Sequence, residues 1–179
     1  HKGVIHINLA LTKKTIFSFF KSRHNFKKIL KEFSPDLIHI RSRWPAFCLR
    51  KIIEQNNIPW ISTYHGTYSG NEKYFKKKYN EFMVKGKKVI AISEFIFEHI
   101  ISNFPNAKNK IHLINRGIDL DYFDVRKVTE YRKEKFLKQF GISENNHIIL
   151  LPGRLTSWKG HFVALKAAKI LKDCHPHFN

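Results

Sequence analysis

Lys88-Val89-Ile90-Ala91-Ile92-Ser93-Glu94-Phe95-Ile96-Phe97-Glu98-His99-Ile100-Ile101-Ser102-Asn103 holds both halves of one folding unit. Lys88–Ile92 is of strand length, and after Lys88 it is apolar with no polar alternation, as in a parallel strand covered on both faces. Ser93 can cap the segment after it, so the sequence predicts a helix over Glu94–Asn103. Working outward, the same alternation recurs. Strands are expected at Val4–Leu9, Leu37–Arg41, Trp60–Tyr64, Ile111–Ile114 and His147–Leu151. Helices are expected at Lys14–Phe33, Pro45–Gln55, Asn71–Lys85, Arg132–Phe140 and Phe162–Leu171. In the first helix Ile16, Phe19, Phe20, Phe26 and Leu30 share an arc that Arg23 and Lys27 interrupt. Gly141 suits the position just past a helix end. Strand alternating with helix from end to end predicts the α/β class, a Rossmann-like parallel sheet with helices on both faces.

The 179 residues include 42% hydrophobic residues and sixteen Phe, more apolar material than a disordered chain carries. No apolar run approaches the ~20 residues that cross a bilayer, and no charged-then-apolar leader follows His1, so a cytoplasmic or membrane-surface location is expected. Cys48 and Cys174 stand far apart without neighbouring ligands, which suggests two incidental thiols in a reducing compartment and neither a metal site nor a disulfide. The net charge of +19 attracts phosphates, whether of nucleic acid, lipid or nucleotide. Lysine used as a generic surface residue explains it equally well.

A domain boundary is expected near Val125–Lys127, giving residues 1–126 as an incomplete first domain and 127–179 as the start of a second. The chain opens in mid-strand and closes after one further βα unit, which cannot cover both faces of its strand alone. It is therefore expected to be a piece of a longer protein.

The strongest chemical signal is Leu150-Leu151-Pro152-Gly153-Arg154-Leu155-Thr156-Ser157-Trp158-Lys159-Gly160, a strand running through a glycine- and cation-bearing loop into a helix. Glycine permits close backbone approach, a helix start presents unpaired N–H groups, and Arg154 and Lys159 can neutralise two negative oxygens. Those are the parts of a phosphate site. A surface turn uses the same residues.

With its neighbours, the loop becomes specific. Gly153-Arg154-Leu155 followed by Lys159-Gly160 resembles the opening of the donor domain in retaining GT-B glycosyltransferases of the lipopolysaccharide-core and capsule type. Asp36-Leu37-Ile38-His39-Ile40-Arg41 is similar to that family's Asp-x-x-His-x-His strand, with Arg41 in the second His place. Thr63-Tyr64-His65-Gly66 resembles its Thr-x-His-Gly strand end, and Val89-Ile90-Ala91-Ile92-Ser93 its Val-Ile-Ala-Val-Ser strand. Ile114-Asn115-Arg116-Gly117-Ile118-Asp119 resembles its Ile-Pro-Asn-Gly-Val-Asp crossing segment, with Asn115 and Arg116 where Pro and Asn are common, a change expected to adjust a hinge. Five motifs in order span nearly the whole chain.

The resemblance implies transfer of a hexose from a nucleoside-diphosphate sugar to a saccharide or lipid-linked saccharide, with retention, in lipopolysaccharide or other cell-envelope polysaccharide synthesis. His65 matches the histidine that contacts the transferred sugar; Gly66, Gly153, Arg154 and Lys159 match donor-binding positions. No metal or other cofactor is implied. Ser93 reads as a helix cap and Gly117 as a turn. The family's glycine-rich first βα unit would precede His1 and its Glu-x7-Glu motif would follow Asn179. Truncated at both ends, this chain alone is expected to be inactive.

Arg41 and Arg43 either bind an acceptor phosphate or face solvent. Lys73, Lys76, Lys77, Lys78, Lys85, Lys87 and Lys88, with Phe75, Tyr79 and Phe82 at helical spacing, form either a face for an anionic membrane or a solvated helix whose aromatics pack on the sheet. Three other readings stay open: an epimerase of nucleotide sugars, an inactive remnant of a transferase, and a basic nucleic-acid-binding protein. For the last, no recognised motif is present, and nucleic acid is not an expected partner.

Overall fold

The computed structural model describes residues 3–9, 11, 14–68 and 72–175. Helix α1 (Ile16–Phe33) leads into β1 (Ile38–Ile40), α2 (Arg43–Gln55), β2 (Trp60–Tyr64), α3 (Tyr74–Glu81), β3 (Lys88–Ala91), α4 (Glu94–Asn103) and β4 (Ile111–Leu113). Helices α5 (Glu130–Phe140) and α6 (His161–Cys174) come after them. The chain divides into two compact units, one ending at Ile118 and the other beginning at Asp119.

The first unit is a four-stranded parallel sheet in the order β1-β2-β3-β4. Each strand neighbours the next in sequence, so right-handed crossovers stepping the same way lay their helices on one face. Burial agrees. Ile40, Trp60, Ser62, Tyr64, Val89, Ala91 and Ile111 are buried on the helix side, while His39 and His112 are exposed and Ile61 and Ile90 half-buried on the other. The α/β class and the helix-flanked parallel sheet are as expected, and the helices described in this unit cover one face.

Local chemistry sets the boundaries. The Ser93 hydroxyl accepts from the Ile96 N–H at 3.3 Å, and α4 has the expected span. Thr15 caps α1 in the same way, and Gly141 ends α5 in the left-handed region at φ 63°. Gly86 answers a different need: a Cβ there would lie 3.0 Å from both the ring and the carbonyl oxygen of Trp60. The backbone turns into β3 directly over that indole.

Several expectations shift. Helix α1 buries Ser18, Ser22, Phe26 and Leu30, an i, i+4 row, and leaves Ile16 and Phe20 exposed. Arg23, which seemed to interrupt an apolar arc, donates to the Cys48 carbonyl at 2.6 Å and lies over the Phe19 ring. Cys48 is fully buried, its thiol pushed up to about 11 by burial against a smaller opposing pull from Arg23. Tyr79 on α3 and Phe82 just past its end pack against Phe47, while Phe75 on α3 stays exposed. Among the described residues no helix is long and apolar enough to cross a membrane.

The strands expected at Val4–Leu9 and His147–Leu151 are corrected: neither segment pairs with another strand among the described residues. Backbone donors and acceptors are held as a strand only by a neighbour's ladder. Residues 4–8 are exposed, and the Leu9 carbonyl accepts instead from the Ser22 hydroxyl at 2.7 Å. In the second unit Ile148, Ile149, Leu150 and Leu151 are exposed, and neither α5 nor α6 has a buried residue.

Candidate functional site

A parallel strand alternates its side chains, so the register decides which residues meet. His39 lies beside Ile61 and Thr63 beside Ile90, all on the face away from the helices. Two residues further along each strand, Arg41 and His65 project beyond the C-terminal edge of the sheet on that same side. They line a cleft of about 450 Å³ with His39, Thr63, Ile92 and the crossing segment Ile114–Gly117. Ligands of open α/β sheets bind beyond the carboxyl ends of the strands.

His65 is the centre of this cleft. Arg41 Nε donates to His65 Nε2 at 3.2 Å, and Arg116 Nη2 stands 2.9 Å from His65 Nδ1. A neutral imidazole offers one lone pair, so it accepts from only one of the two guanidinium groups. Burial first, then the charges of Arg41, Arg116 and His39, hold the His65 imidazole below the ordinary histidine range. His39 is lowered by burial and then by Arg41, and its Nε2 lies 2.7 Å from the Thr63 hydroxyl. Among the described residues no carboxylate lines this cleft.

Arg43 does not share this cleft. Its guanidinium donates to Asn80 Oδ1 at 2.7 Å and lies over the rings of Tyr68 and Tyr79, at 4.3 and 5.5 Å from their centroids. It ties the start of α2 to α3. Gly66 is half-buried, with open space where a Cβ would be added.

The other predicted residues belong to the second unit. Residues Ser157–Lys159 form a short 3-10 turn, and Gly160, in the left-handed region at φ 76°, precedes α6. Lys159 Nζ lies 4.4 Å and Arg154 Cζ 6.0 Å from the Trp158 ring centroid, so both cations gather at one exposed indole. A Cβ on Gly153 would come within 3.6–3.7 Å of His161 and Lys159, in ordinary contact. Neither cation is in an ion pair among the described residues. Among the same residues no group of His, Cys, Asp and Glu could hold a metal ion.

Comparison with known proteins adds the deciding observation: the sequence pattern of Glycosyltransferase Family 4 matches residues 3–122, more than half of the chain. The chain belongs to glycosyltransferase family 4. It is similar to the crystal structure of a glycosyltransferase from Rickettsia africae ESF-5, 36% identical with a TM-score of 0.70, over 94% of this chain and 43% of that one. YtcC of Bacillus subtilis (strain 168), assigned as a glycosyltransferase, is 27% identical over 82% of this chain and 36% of its own length. Spore coat protein SA of the same organism is 24% identical over 82% of this chain and 39% of its own. The chain thus spans less than half the length of these relatives. They support the GT-B kind of glycosyltransferase, and the helix-flanked parallel sheet matches the Rossmann-like domain of this fold.

Sequence reading of this family 4 chain missed Arg116. Its side chain reaches His65 because β4 ends beside β3 and the chain turns there, a relation of topology. The signals available were the alternation that pairs His39 with Arg41 and Thr63 with His65, and the unusual Arg in the crossing segment.

Proposed function

We propose that this chain carries the acceptor-side domain, residues 1–126, and the opening of the donor domain, 127–179, of a retaining glycosyltransferase. The reaction moves a hexose from a nucleoside-diphosphate sugar to a saccharide or lipid-linked saccharide hydroxyl, in lipopolysaccharide or other cell-envelope polysaccharide synthesis. The observation that carries this reading is the family 4 match together with a cleft centred on His65 at the C-terminal edge of a parallel sheet.

The bond from the anomeric carbon to the diphosphate oxygen breaks, and negative charge grows on the leaving group. Arg154 and Lys159 neutralise that charge, a part that a metal ion plays in other transferases. The acceptor oxygen arrives on the same face, and its proton passes to the departing phosphate. His65 positions the sugar and shapes the field around it. Its lowered basicity and its two arginine neighbours suit that role better than proton abstraction.

The test is sugar transfer by a form extended to the full length of the relatives. Arg154→Ala is expected to lower kcat roughly 10²–10³-fold, the usual cost of one charge-stabilising donor. His65→Ala falls in the same direction. Activity within a few-fold of the parent in both variants sinks the assignment.

A further inference from the structure

Arg41, just past β1, and Arg116, just past β4, stand where the resembled motifs carry a histidine and an asparagine. Far apart in sequence, both guanidinium groups reach the same imidazole, one at each ring nitrogen. The arrangement is rich in donors and short of acceptors. Arg41, Arg116, His65 and His39 face one another around the cleft, and the remaining lining groups are Thr63, Ile92, Ile114, Asn115 and Gly117. Neither arginine forms an ion pair among the described residues, although six such pairs exist elsewhere in them. Of the guanidinium N–H groups aimed at His65, one must meet a ring N–H instead of a lone pair while the imidazole is neutral. An oxyanion resolves the mismatch by accepting from both arginines, since planar guanidinium forks match carboxylate and phosphate oxygens.

We propose that this cleft binds an oxyanion, phosphate or carboxylate, carried by a saccharide substrate and held between Arg41 and Arg116 with His65 as a third partner. That the carrier is a saccharide rests on the glycosyl-transfer reading; the anion site itself rests on the cluster. Two sources share the chemistry: an acidic group on the acceptor and the diphosphate of the donor. Arg116, rather than Arg43, is the companion of Arg41.

The experiment is an NMR titration of the 179-residue chain, following the His65 ring resonances with inorganic phosphate, with glucuronate and with a nucleoside diphosphate. The variants Arg41→His and Arg116→Asn restore the family's usual residues at exposed positions, and circular dichroism checks that their fold is kept. At least one anion is expected to shift His65 saturably, with its ring pKa rising on binding, and each variant weakens that affinity about tenfold or more, roughly 1.4 kcal/mol. Phosphate and glucuronate binding without preference for the nucleoside diphosphate supports the site and assigns it to the acceptor. A strong preference for the nucleoside diphosphate supports the site and assigns it to the donor. No saturable shift with any anion, or equal affinity in the parent and both variants, overturns the proposal. The readout is binding, so a chain that transfers no sugar can pass this test and an active transferase can fail it.

Discussion

Val89 and Ile149 are β-branched residues in apolar runs of strand length, Lys88–Ile92 and His147–Leu151; the first is fully buried and the second 75% exposed. The difference lies in what stands beside them. Val89 has Ser62 on one side, Ile111 on the other, and the packed core of the helix-covered face against it. Among the described residues the run containing Ile149 has no strand beside it and contributes nothing to a core. Apolar sequence supplies the capacity for burial; neighbouring strands and helices turn it into stability.

The largest expected effect tests that contrast directly. Ile53→Ala, at a fully buried position on α2, is expected to cost about 2–5 kcal/mol, whereas Leu150→Ala stays within roughly 0.5 kcal/mol. Urea denaturation followed by tryptophan fluorescence measures both. Equal losses break the comparison between the two units.

Gly86→Ala sharpens it within the first unit. The new methyl meets the Trp60 carbonyl oxygen at 3.0 Å, and that oxygen also accepts from the Lys87 N–H at 2.8 Å, so it has little freedom to retreat. A loss of about 1–3 kcal/mol is expected in the same denaturation experiment. Parent-like stability means that the start of β3 yields more easily than its packing indicates.

Acidity gives the smallest effect. His39, His65 and His99, all in the first unit, are lowered chiefly by burial from a common starting value of 6.5. A folded value below the unfolded one means that the unfolded chain takes up protons first as pH falls. Their contribution is therefore intact above the unfolded value and lost as pH drops through 6.5 toward the folded values. Denaturation midpoints across that window are expected to fall with pH, and more gently in His99→Gln, which removes one of the three. A slope unchanged by that substitution excludes His99 from the effect.

Local rules were legible in the sequence. Ser93 before an apolar helix, Gly141 past the end of another and the run at Val89–Ala91 each carry their own signal, and the helices and central strands formed where those signals lie. Relations between distant segments were less legible. Arg23 looked like a flaw in α1 until the Cys48 carbonyl stood opposite it, and Arg116 looked like a hinge change until the turn after β4 brought it to His65. The run at Val4–Leu9 had a strand's composition without a strand's partner. Residue type announces capping and periodicity, whereas register and crossover decide which side chains converge.

The alternation along β2 separates two kinds of work on one short segment. Ser62 and Tyr64 point to the helix side and give their hydroxyl protons to the carbonyls of Met83 and Asn80, while Thr63 and His65 point to the cleft. Substitutions at alternate positions therefore act on separate parts of the domain's work. A lineage can rewrite what the cleft recognises through positions 39, 41, 63 and 65 while positions 40, 62 and 64 keep the scaffold intact, so divergence in ligand choice need not erode the domain that hosts it.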